Sequence, residues 1–344
     1  MALLFFDGFD HYGVSGDPLP LGKWGSTATS DGSVQSTFAR TGGFSYRAAT
    51  LITTSIITKP FVTSGGAIVG VAWYNPLAFA VGDLLQVLEG AIVHVALGVT
   101  AGGLLTVKRG STVLATGTTP LVLNGWNYLE LSATIHDTAG AYAVRINGAP
   151  EAALTVTGVD TRNGGTGVWD RINLGNGANG QTYFDDFYVC DTSGAAPRNT
   201  FLGPVKIETL LPQTDAVAAG SNAGLTPSTG TDHGALVDEP APNTSDYNSS
   251  PTVGLKDTYN YPPLALSGPI LGIQTNLYVS KSDAVVRQVC AVVRAGGTDY
   301  DGANVSPSTT FGYFSEVRAQ NPNTGVDWTA ADIAALQAGM KVTA

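Results

Sequence analysis

Along much of this chain apolar residues recur at every second position, in short runs that end at turn-forming residues. Phe44, Tyr46 and Ala48 alternate with Ser45 and Arg47. Val93, Val95, Leu97 and Val99 alternate with His94 and Ala96, and Leu129, Leu131, Ala133 and Ile135 with Tyr128, Glu130, Ser132 and Thr134. Tyr142, Val144 and Ile146 run into Asn147-Gly148, a dipeptide suited to a two-residue hairpin turn because both positions take positive φ there. A period of two puts one apolar face on each strand, and frequent turns favour antiparallel sheets packed face to face. No segment before Asp191 keeps a helical period over three turns. The expected fold is therefore all-β, a β-sandwich followed by a second, smaller β-rich module.

Composition agrees with strands and narrows the function classes. Only 13% of the 344 residues are charged, Gly is abundant at 43, and Met occurs twice. Many Thr, Val, Gly and Tyr with few helix formers favour sheets and turns. So little charge fits either Thr-rich outer faces or a subunit that covers surface against neighbours. The net charge of −10 and the lack of a Lys/Arg cluster exclude nucleic acid as a partner. Lys108-Arg109, an adjacent basic pair, reads as a hairpin turn. The N-terminus has no basic region before a short apolar run, so no signal peptide is expected. The uncharged stretch from Phe61 to Gly82 is broken by Gly65-Gly66 and Asn75-Pro76 into two strands, which argues against a membrane span. Cys190 and Cys290 fall in apolar runs without metal spacing and read as buried free thiols, with a single disulfide as the alternative.

A polar link of Pro, Gly and Ser at 192–200 divides a sandwich at 1–191 from a C-terminal module at 201–344. The second module opens with a strand at Phe201–Leu211 and continues through a polar stretch, Pro212–Pro263, long enough to need a function or a partner. Strands return at Ile270–Val279, Ala284–Arg294 and Thr309–Val317. Thr329-Ala330-Ala331-Asp332 resembles a capping box, so a short helix follows, with Ile333 and Leu336 near Trp328 and Gly339 as its stop.

The chemistry-bearing residues are sparse. Glycan cleavage needs paired carboxylates, yet the six Glu residues have no carboxylate two or four positions away, and no catalytic residue is assigned. Asp185 and Asp186 are adjacent on a strand and so should point to opposite faces. If the terminal strands pair, one of them could join Asp7 or Asp10 in a calcium site; Asp10, Asp185 and Asp186 are the metal candidates, and a hydrogen-bonded carboxylate is the alternative. No other cofactor is expected. The scattered His11, His94, His136 and His233 lack ligand spacing and read as structural. Trp24, Trp73, Trp126 and Trp169 read as core, with a sugar-stacking platform as the alternative.

Two resemblances add to this. Over 1–191 the pieces FFDGFD (Phe5–Asp10), GGFSYR (Gly42–Arg47), GWNYLEL (Gly125–Leu131), VRINGAP (Val144–Pro150) and YFDDFYV (Tyr183–Val189) resemble a concanavalin A-like, or laminin G-like, jelly roll. Nearly the whole chain resembles a group of tailed-bacteriophage virion proteins. That likeness is carried by Asp7–Tyr12 with Lys23-Trp24, by FDDFYVCD (Phe184–Asp191), FLGPVKIE (Phe201–Glu208), VDEPAP (Val237–Pro242) and DTYNY (Asp257–Tyr261), and by NPNTGVDWTAADI (Asn321–Ile333). It implies a virion structural or binding protein, tail-associated or fibre-like, made in the host cytoplasm. Implied partners are other virion proteins, copies of itself (three as the first expectation) and host surface polysaccharide, with no membrane insertion. A capsid decoration or head-fibre protein is the alternative; a glycan-acting enzyme and a free-standing lectin rank lower.

Overall fold

The computed structural model describes residues 3–13, 23–25, 32–48, 56–63, 65–175, 181–216, 224–265 and 267–344. The protein is all-β apart from short helical turns, and its N-terminal part is a β-sandwich of antiparallel sheets. Two compact units divide at Ile207 and Glu208. The sequence placed that boundary in 192–200; the structure carries the first unit on through 201–207, for reasons given below.

The first unit holds a nine-stranded and a six-stranded sheet. In the larger sheet the strand Ala67–Tyr74 lies between Trp126–Thr134 and Thr182–Asp191. Gly140–Ile146 continues one side, and Ser45–Ala48 and Gly32–Gln35 continue the other. Leu3–Asp7 pairs with the far half of Thr182–Asp191, from Leu3 against Cys190 to Asp7 against Phe187. The terminal strands thus meet, the condition set above for bringing Asp10 near Asp185 and Asp186. Asn147 and Gly148 have φ of 53° and 81°, as the hairpin turn before Ala149-Pro150 requires. Lys108 and Arg109 end the strand Leu104–Arg109, and the turn falls one residue later, at Gly110 with φ of 55°.

Alternation sets the two faces. Phe184, Trp73 and Tyr46 face inward at 0% exposure, with Phe5, Phe9, Trp24 and Phe187 packed among them. Tyr183, Tyr74 and Arg47 share the outer face. Burial of so much aromatic area, at roughly 25 cal/mol per Å² of apolar surface, is the main force holding this unit together. Cys190 is buried and unpaired, as is Cys290 in the second unit.

The second unit is built on Glu208–Ala344 and takes in His11–Gly13. Its five-stranded sheet runs Thr214–Asp215, Lys256–Asn260, Gln337–Val342, Val289–Ala295, Thr298–Asp301, and Ile273–Val279 pairs with Gly312–Arg318. The helix Ala330–Ala334 has the expected capping box: Thr329 Oγ1 accepts from Asp332 N and Asp332 Oδ2 from Thr329 N. Trp328 packs with Ile333, Leu336 and Val293. Gly339 does not stop the helix, which ends at Ala335. It lies in a strand, where an added Cβ would stand 2.0 Å from the Asp257 carbonyl oxygen. Nor are the described parts of Pro212–Pro263 an open loop, residues 217–223 lying outside the described ones: Lys256–Asn260 is an interior strand with Tyr259 buried, whereas Tyr247 is exposed. Phe201–Leu211 forms no strand. Among the described residues, no helix is long and apolar enough to cross a membrane.

Candidate functional site

The outer face of the nine-stranded sheet gathers the chemistry-bearing residues of the first unit. Its organising feature is a bulge in Thr182–Asp191. Pairing to the central strand shifts between Asp185 and Tyr188, and Asp186 takes a φ of 48°. The bulge corrects the expectation that Asp185 and Asp186 point to opposite faces. Both carboxylates turn to the same two residues, Arg40 and Thr41. Asp185 Oδ2 accepts from Arg40 N at 2.7 Å and Thr41 N at 3.2 Å. Asp186 Oδ2 accepts from Thr41 Oγ1 at 2.9 Å and pairs with the Arg40 guanidinium.

Asp10 works on the same loop, accepting from Gly43 N and Phe44 N at 2.8 and 2.9 Å. The three metal candidates therefore come together, but as acceptors for the backbone of residues 40–44. Asp10 Oδ2 is buried with no hydrogen-bond partner, and an added Cβ on Gly42 would lie 2.1 Å from it, so only glycine fits there. Among the described residues, no group of three or more His, Cys, Asp or Glu is arranged to hold a metal ion. Burial pushes the Asp10 carboxyl up to about 7, against the pull of the Gly43 and Phe44 N–H groups. Burial, then the adjacent Asp186 charge, raises Asp185 well above the usual range, and burial raises Asp186 despite Arg40 and the Ile207 N–H.

The same face receives the segment 201–207. Leu202 N donates to Tyr188 Oη, Gly203 N to Glu130 Oε1 and Ile207 N to Asp186 Oδ1, while Arg40 donates to the Val205 carbonyl. Tyr188 donates to Glu130 at 2.6 Å, and its ring lies over Gly70, where a Cβ would come within 2.1 Å of Cε1. Arg40 rests on the Tyr128 ring and Arg145 on Phe201. These side-chain donors and acceptors replace the ladder a strand would have made, which is why the segment belongs to the first unit without being a strand. Sequence reasoning missed Glu130, Arg40 and Tyr188 here. Glu130, at a buried alternating position, was the available signal.

The remaining candidates have structural partners. Glu89 accepts from Thr166 N, Thr166 Oγ1 and Gly167 N, contacts that hold its carboxyl down at about 2, and it meets His94 at 3.2 Å. His136 Nδ1 accepts two turn N–H groups, His233 pairs with buried Asp257 at 2.6 Å, and the His11 ring meets Lys23 Nζ at 2.8 Å. Asp299 and Asp301, two apart on one strand, form a carboxylate pair that a survey of Glu alone overlooks. Lys256 and Arg294 pair with the first and Lys341 with the second. A shallow depression of about 560 Å³ beside Asp83 and Lys108 presents charges already paired to each other at 2.7 Å. Trp24, Trp73 and Trp169 are core; Trp126 alone of the four lies part-exposed, on the outer face.

No protein-family model matches the chain, and no curated protein matches it. Solved structures similar to parts of it include a Trypanosoma rangeli sialidase in complex with sialic acid (13% identity, 55% of this chain and 30% of that one, TM-score 0.36). Another is domain 4 of AbnA, a GH43 extracellular arabinanase from Geobacillus stearothermophilus, in complex with arabinotriose (14% identity, 46% and 75%, TM-score 0.32). A third is a botulinum neurotoxin type C structure (10% identity, 46% and 42%, TM-score 0.32). The chain spans under a third of the sialidase's length. Similarity at this level carries no inference about function.

Proposed function

We propose that this chain is a non-enzymatic structural and binding component of a tailed-phage virion, with the first unit contacting the host surface and the second serving attachment. The observation that carries the reading is the clamp on the outer face of the nine-stranded sheet. Two segments that bear the virion-protein resemblance, Phe184–Asp191 and Phe201–Glu208, are joined there through Asp186 to Ile207 and Tyr188 to Leu202. That these two segments are hydrogen-bonded to each other supports reading the likeness as a single unit. The carboxylates concerned are held by backbone N–H groups and Arg40, an arrangement suited to fixing chain and poorly suited to delivering a proton to a substrate. Low charge favours a subunit with covered surface. Mass spectrometry of gradient-purified particles from the phage encoding this chain tests the reading: the chain should co-sediment at constant ratio to the major capsid protein. A chain present in the lysate and lacking from washed particles would overturn it.

A further inference from the structure

Beyond the clamp, the same sheet face carries a row of aromatic side chains. Trp126, Tyr74 and Tyr183 occupy directly paired positions on three neighbouring strands, and Arg47 follows on the fourth. At about 4.8 Å between strands, the row runs roughly 14 Å. Phe38 stacks on Tyr74 with centroids 4.4 Å apart and meets Tyr183 edge-on at 5.0 Å; Tyr74 and Trp126 are 5.4 Å apart. Tyr74 and Tyr183 form a floor at 9% and 2% exposure, while Phe38, Trp126 and Arg47 stay part-exposed around it.

The arrangement is held in place. Phe38 rides on the loop whose N–H groups are taken by Asp10 and Asp185, and the Ser45 hydroxyl donates to the Phe38 carbonyl. Of the five tryptophans, the other four are at 3% exposure or less, so Trp126 is the one left at the surface. Ten described Lys and Arg side chains sit on a carboxylate. Arg47, like Arg145, Lys206 and Lys281, has no carboxylate partner among the described residues. Its Nε is buried without an acceptor among the described residues. A buried donor with no acceptor is unfavourable until something supplies one.

We infer that this row binds an anionic saccharide, with Trp126 and Phe38 packing on sugar-ring faces and Arg47 pairing with a ring carboxylate. Pyranose rings present apolar C–H faces that stack on aromatic rings, and the planar guanidinium matches a carboxylate bidentately. The net charge of −10 makes a broad polyanion-binding surface implausible, so the attraction has to come from this local cation. The inference rests, for its biological setting, on the proposed host-surface role.

The test titrates the full chain with oligogalacturonate and with a neutral galactan oligosaccharide of equal length, following Trp fluorescence and calorimetry. Saturable binding of the acidic sugar is expected, at least about tenfold tighter than the neutral one. Arg47→Gln should weaken acidic binding about tenfold, and Trp126→Leu should weaken it and remove the fluorescence change. Should Arg47→Gln prove unstable by circular dichroism, Arg47→Lys keeps the charge and loses the fork, and should bind more weakly than the parent. No saturable binding at millimolar sugar, equal binding of both sugars, or parental affinity in the folded variants would each overturn the site. A virion-bound chain that fails to bind removes this inference alone, whereas a binding chain lacking from particles removes the virion reading alone.

Discussion

At the scale of single residues, Asp10 is the most informative. Its carboxyl, raised to about 7 by burial, binds a proton more tightly in the folded chain than in the unfolded one, where the value is near 3.8. The stability it contributes is therefore full below pH 3.8 and lost as pH rises through about 7. Asp185 and Asp186, raised by burial, act in the same sense. Glu89, held down near 2, acts oppositely, losing its contribution as pH falls from about 4.5 to 2. Asp10→Asn keeps the Oδ1 acceptor for Gly43 and Phe44 and removes the titration. Its melting temperature at pH 8 should exceed the parent's by a few degrees, at about 2–4 °C per kcal/mol for a domain of this size, with little difference near pH 4. An unchanged or lower value at pH 8 would show that the buried charge costs nothing there. The cluster itself was legible in the sequence, since Asp10, Asp185 and Asp186 are the candidates that meet. Its geometry was not, because a bulge is set by tertiary pairing and breaks the alternation from which opposite faces were inferred.

At the scale of elements, the segment 201–207 decides where the first unit ends. It reads as a strand from its apolar residues, yet its partners are four side chains brought from three separate places: Arg40, Glu130, and Asp186 with Tyr188. No local pattern announces such a docking. The alternating strands, the Asn147-Gly148 hairpin and the Thr329 capping box were legible because each depends on local spacing alone. A fragment ending at residue 207 should therefore melt cooperatively, and one ending at residue 191 should melt several degrees lower, having lost this cover over Glu130 and Tyr188. Equal melting of the two by circular dichroism would move the boundary back to 192–200. Gly70→Ala probes the same cover from below. The added methyl meets the Tyr188 ring, which is buried and hydrogen-bonded at its hydroxyl, and should cost about 1–3 kcal/mol by chemical denaturation.

At the scale of the whole molecule, the chain comprises a sandwich with a fixed outer face and a second unit that has its own core around Trp328, Ile333 and Leu336. Many of the sparse cations are used in pairs within each unit, such as Lys256 and Arg294 with Asp299. Multi-angle light scattering on the purified chain is expected to give a homo-oligomer, three copies being the value the virion-protein resemblance implies, and a monomer at micromolar concentration would remove self-assembly. The most direct measurement is a cryo-electron reconstruction of the particle with this chain fitted into its density. Density for the second unit is expected against other virion proteins, with the row from Trp126 to Arg47 facing outward. A particle with no density for the chain, or with that row buried against other virion proteins and Glu208–Ala344 turned to solvent, would contradict the proposed function.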